Sequence, residues 1–74
     1  MSRLPVISGI KAVKALAKLG YEIDHQTGSH IILRQNQSPQ KRLTVPNHRE
    51  LAKGTLRAII RQAGINVEEF KELL

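Results

Sequence analysis

Cysteine and tryptophan are missing from this chain, and acidic residues are half as numerous as basic ones, with 6 Asp and Glu against 12 Lys and Arg. Without cysteine there can be neither a disulfide framework nor a thiolate zinc site. With a single Tyr and a single Phe, the chain lacks the aromatic platforms on which single-stranded nucleic acid stacks its bases. No stretch approaches the roughly 18 consecutive apolar residues of a membrane span. The apolar start, Leu4-Pro5-Val6-Ile7, is too short for the h-region of a secretory signal. A soluble, cytoplasmic protein without metal or cofactor is expected.

What is present is a net charge of +6 on 74 residues. That length supports one domain, here residues 1–74, with no second core and no deep cavity, so function belongs on the surface. The charge excess favours a polyanionic partner: nucleic acid first, an acidic protein second and an anionic membrane third. With so few aromatics, recognition through phosphates and shape is the better match.

Along the chain, Ser8 is placed to cap a helix over residues 9–19 that Gly20 terminates. Ile10, Val13, Leu16 and Ala17 form its apolar stripe, beside a ridge of Lys11, Lys14 and Lys18. Residues 21–26 then alternate as a strand, with Tyr21, Ile23 and His25 on one side. Thr27-Gly28-Ser29 is a turn, and residues 30–34 form a second strand. A three-residue loop collects Tyr21, Ile23, Ile31 and Leu33 on one face and leaves His30 beside Asp24, Gln26, Ile32 and Arg34 on the other. Residues 35–40, with Ser38-Pro39, read as a mobile loop. Residues 41–45 make a third strand with Leu43 and Val45 inward, closed by Pro46.

A second helix spans about residues 53–63, with Leu56, Ile59, Ile60 and Ala63 as its stripe and Lys53, Arg57 and Arg61 as a second basic ridge. Asn66, with Glu69 three residues on, caps a short terminal helix. The order α-β-β-β-α(-α) predicts a two-layer α+β domain, a three-stranded antiparallel sheet with its helices on one face. Double-stranded RNA binding domains share this layout.

Among groups able to do chemistry, His30 stands out. It follows a tight turn, and its unperturbed pKa of about 6.5 lets imidazole give or take a proton near neutrality. Cleaving RNA without metal needs a base for the 2′-hydroxyl, a cation for the phosphorane and an acid for the leaving 5′ oxygen. His25, in alternation with Tyr21 and Ile23, is expected to cover the edge of the core. His48, in the connector after Pro46, is the other weaker candidate. The histidines and carboxylates have no metal-site spacing.

Taken together, Leu19-Gly20-Tyr21, Gly28-Ser29-His30, Thr44-Val45-Pro46-Asn47-His48, the run from Lys53 to Ile65 with its Gly54-Thr55-Leu56-Arg57, and Glu68-Glu69-Phe70 resemble the HicA-type toxins over nearly the whole chain. The resemblance implies a metal-independent mRNA interferase with a double-stranded RNA binding fold. Its catalytic residue would be His30. A HicB-like antitoxin would cover the active surface, with the toxin monomeric alone and hetero-oligomeric in that complex. Family members often carry a second His or another polar residue after the motif. Here Ile31 follows, so the second acid or base is not named.

RNA contacts are expected from Arg34, Lys41, Arg42, Lys53 and Arg57 and from the turn residues Gly28 and Ser29. The sheet-side cations Arg34, Lys41 and Arg42 are the better phosphate clamp, because the first helix occupies the opposite layer. The alternative is a non-catalytic double-stranded RNA binding module. An interaction protein whose basic face serves only an acidic partner is a third reading.

Overall fold

The computed structural model describes residues 3–38 and 40–74; Met1, Ser2 and Pro39, the last assigned by the sequence to the loop before the third strand, lie outside them. Helix α1 (Gly9–Ala17) leads into strands β1 (Tyr21–Thr27), β2 (His30–Gln35) and β3 (Arg42–Pro46), followed by helices α2 (Lys53–Gln62) and α3 (Val67–Glu72). The sheet is antiparallel in the order β1-β2-β3, with β2 central. This is the expected α+β layout, and the expected caps are in place. The Ser8 hydroxyl accepts from the Lys11 amide, and Asn66 and Glu69 form a reciprocal capping box.

One face of the sheet is buried against the helices. Ile31 and Leu33 of β2 and Leu43 and Val45 of β3 pack with Leu16, Leu56, Ile59, Ile60 and Phe70 into one core. In α1 the inward residues are Gly9, Ala12, Ala15 and Leu16, whereas Ile10, expected inside, is 44% exposed. The helix comes so close to the sheet and to the connector after β3 that small residues take the inner positions. Ile10 is displaced to the margin and Ala17, also expected inside, is exposed, while Leu16 keeps its inner place.

The hairpin differs from the sequence expectation. Thr27 pairs with His30 across a two-residue loop, Gly28-Ser29, and the register shifts between Ile23 and His25, leaving Asp24 as the extra residue of a β-bulge. Gly28 has φ +56°, and no non-glycine residue among those described has positive φ. Positive φ at the first loop residue alone is the pattern of a type II′ turn, whose twist suits a two-residue hairpin. Strict alternation forced a choice between a short loop and a continuous apolar face. The bulge allows both: Ile23 stays opposite Leu33 on the helix side, although 58% exposed at the sheet edge, and Gln26 moves opposite Ile31.

Tyr21 is buried, and its hydroxyl has no hydrogen-bond partner among the described residues. Burial pushes its phenol pKa up. An unsatisfied buried hydroxyl opposes folding, while the ring packs as phenylalanine would. Tyr21→Phe is therefore expected to raise stability by about 1 kcal/mol, read as a higher urea midpoint at unchanged slope.

Candidate functional site

The free face of the sheet carries the chemistry. Side chains of β2 alternate, so His30, Ile32 and Arg34 point away from the buried Ile31 and Leu33. Register places Thr27 and Pro46 on either side of His30, His25 and Thr44 beside Ile32, and Glu22 and Arg42 beside Arg34. His30 is exposed and opens the central strand at the turn end. The turn that precedes it is held on both sides. The Asn47 amide donates to the Ser29 carbonyl at 2.6 Å, and the Gln26 side chain donates to the Gly28 carbonyl at 3.2 Å. A turn so tied presents its first strand residue in a fixed direction.

Beyond Ile32 lies a charged cluster built by the bulge. Asp24 Oδ2 accepts from His25 Nδ1 at 2.8 Å and from Arg42 Nη1 at 3.2 Å, and Arg34 Nε lies 4.0 Å from Asp24 Oδ1. The Asp24–Arg42 contact links the outer strands across β2. The hydrogen bond from His25, followed by the charges of Arg34 and Arg42, outweighs desolvation and holds the Asp24 carboxyl below its ordinary range. His25 is thus not a cover for the core edge: its side chain is 54% exposed. The extra residue at Asp24 has turned it to the face that carries His30.

Because the folded state releases the Asp24 proton more readily than the unfolded chain, stability should rise with pH through the ordinary carboxylate range. It should be lost again as pH falls through the lowered value. Asp24→Asn removes this dependence and leaves Arg34 directly beside Arg42, like charges opposed across two strands. Urea midpoints of the two proteins, followed from about pH 7 to about pH 2, are expected to differ at neutrality and converge in acid.

The other expected RNA contacts are distributed unevenly. Gly28 and Ser29 are exposed in the turn beside His30, and Arg34 and Arg42 are on its face, both engaged with Asp24. Lys41 is exposed just before β3, one residue out of alternation with Arg42. Lys53 and Arg57 are exposed on α2, in the layer behind the sheet. Lys11, Lys14 and Lys18 line a groove of about 300 Å³ between α1 and the end of the chain, floored by Ala15, Leu73 and Leu74. His48 is exposed in the connector, where its carbonyl accepts from the Gly9 amide at 2.9 Å. Sequence reasoning had missed His25 as a member of the His30 face. The signal was the conflict between loop length and apolar alternation.

The described residues contain no group of three or more His, Cys, Asp or Glu able to hold a metal ion. None of their helices is long and apolar enough to cross a membrane. A family model described as "HicA toxin of bacterial toxin-antitoxin" matches residues 10–65, more than half of the chain. The chain belongs to the HicA toxin family. Its role is therefore that of the toxin in a toxin-antitoxin pair, and the sheet-and-helix layout agrees with the double-stranded RNA binding fold of HicA toxins. Comparison with curated proteins and with solved structures finds no match.

Proposed function

We propose that this HicA toxin is a single-domain, metal-independent endoribonuclease that cleaves mRNA in the cytoplasm, with the His30 imidazole as its general acid or base. The observation that carries the reading is the placement of His30: exposed, on the free face of the sheet, in a turn held by hydrogen bonds from Gln26 and Asn47. Imidazole there can reach a ribose hydroxyl of a strand laid across the sheet. DNA has no 2′-hydroxyl and escapes this chemistry. Arg34 and Arg42 supply cations on the same face, with Lys41 at its margin and the Gly28 and Ser29 amides at the turn. Lys53 and Arg57, in the layer behind, serve flanking phosphates. A HicB-like antitoxin, bound over the free face, would block His30 and the cations on that face at once, leaving a monomeric toxin when it is lost.

Purified toxin freed of antitoxin and incubated with labelled RNA in the presence of chelator is expected to yield fragments, and His30→Ala is expected to bind without fragmenting. RNA binding by the wild-type protein with no fragmentation would instead identify a non-catalytic double-stranded RNA binding module. Weak binding insensitive to salt would point to an acidic protein as the only partner.

A further inference from the structure

We propose that His25, oriented by Asp24, is the second proton-transfer group of this site and protonates the departing 5′ oxygen, while His30 removes the proton of the attacking 2′-hydroxyl. The inference rests on the endoribonuclease reading above.

Register, hydrogen bonding and charge lead to it. The bulge at Asp24 places His25 opposite Ile32, on the face of His30, whereas unbroken alternation would have turned it toward the helices with Ile23. His25 and His30 are diagonal neighbours across β1 and β2, a relation that sets residues about 7–8 Å apart. That is a separation across which two imidazoles can flank one phosphodiester. In an in-line displacement the entering and leaving oxygens occupy opposite sides of phosphorus, so acid and base must stand apart.

The tautomer is fixed as well. An ionised carboxylate only accepts hydrogen bonds, so the 2.8 Å contact to Asp24 Oδ2 assigns the proton to His25 Nδ1 and leaves Nε2 as the working nitrogen. Arg42 shares Asp24 Oδ2 with His25, and Arg34 lies beside Oδ1. They keep the pair in place and set positive charge beside the phosphorane. When Nε2 is protonated, its charge is balanced by Asp24. His30 has no carboxylate in contact among the described residues, which suits it to receive the 2′ proton.

The step balances without any further reactant. His30 takes the 2′-hydroxyl proton, the 2′ oxygen forms a bond to phosphorus, the bond from phosphorus to the 5′ oxygen breaks, and His25 Nε2 gives its proton to that oxygen. The products are a 2′,3′-cyclic phosphate and a free 5′-hydroxyl. His30 then holds one proton more and His25 one fewer, and exchange with water resets both.

A sulfur leaving group tests the assignment, because a thiolate departs without protonation. The probe is a synthetic RNA carrying a linkage that the wild-type toxin has been mapped to cleave in cellular mRNA, made with oxygen or with sulfur at the bridging 5′ position. His25→Ala is expected to cleave the oxygen RNA about 10²–10³-fold more slowly than wild type and the sulfur RNA within about tenfold of it. His30→Ala is expected to be slow on both. Wild-type rates for His25→Ala on the oxygen RNA, an equal defect on both RNAs, or sulfur rescue of His48→Ala in its place would each overturn the inference while leaving the endoribonuclease reading intact. Absence of any RNA cleavage by the wild-type protein would overturn both.

Discussion

Replacing His30 by alanine is expected to slow RNA cleavage by about 10²–10⁴-fold and to abolish growth arrest on induced expression, with the fold unchanged. The size of the effect follows from the role. A positioned imidazole lowers the barrier by moving a proton as the bond to phosphorus forms, and alanine cannot replace it through water held in the same place. The intact fold follows from exposure. His30 contributes nothing to the core, and its strand is held by backbone pairs to Thr27 and Pro46 that alanine retains. Circular dichroism and urea midpoints should therefore match the wild type, which separates lost chemistry from lost structure. RNA affinity and its salt dependence should also persist, since phosphate neutralisation is carried by Arg and Lys side chains. Full toxicity in this variant would remove His30 from the mechanism.

Most of the architecture was legible because its signals are local and periodic. Ser8 and the Asn66–Glu69 pair announce helix starts through the hydrogen bonds they offer, and Leu43 and Val45 announce the inner face of β3 through simple alternation. The bulge had no such signal. An inserted residue changes no composition and merely breaks the period, so a reading that kept alternation intact had to lengthen the loop to compensate.

That substitution of a longer loop for a bulge carried the error into the site. Strict alternation already sets Asp24 beside Arg34 on the face of His30, but it turns His25 to the opposite face and out of the site. The bulge brings His25 to the same face, where one carboxylate is shared by the imidazole and both arginines, and the cationic character of the surface is set by the whole cluster. The apolar stripe of α1 was misread for a different reason. Helical spacing fixed Leu16 correctly, but where a helix backbone closely approaches other backbone, Gly9, Ala12 and Ala15 join it inside, and Ile10 and Ala17 are turned outward.

This close approach makes Gly9 the glycine least able to accept an added Cβ. In isolation, Gly9→Ala would favour the helix by up to about 1 kcal/mol, since glycine is the poorer helix former. Here a Cβ would collide with the Pro46 carbonyl oxygen and crowd the Asn47 Cα. The atoms it meets are backbone, so no rotamer change can clear them; α1 or the end of β3 must move. Either motion breaks the 2.9 Å bond from the Gly9 amide to the His48 carbonyl and loosens the segment whose Asn47 amide holds Ser29, the residue before His30. Overpacking of this kind costs about 1–3 kcal/mol or more, which outweighs the gain in helix propensity. In a domain of this size that is a large share of the total stability. Gly9→Ala is thus expected to lower the urea midpoint strongly and to reduce cleavage through the displaced turn. Gly54→Ala is the matched control. It lies in the first turn of α2 with nothing within 4 Å of an added Cβ, and it should hold or raise the midpoint. Equal effects of the two substitutions would show that helix propensity, rather than contact with Pro46, governs position 9.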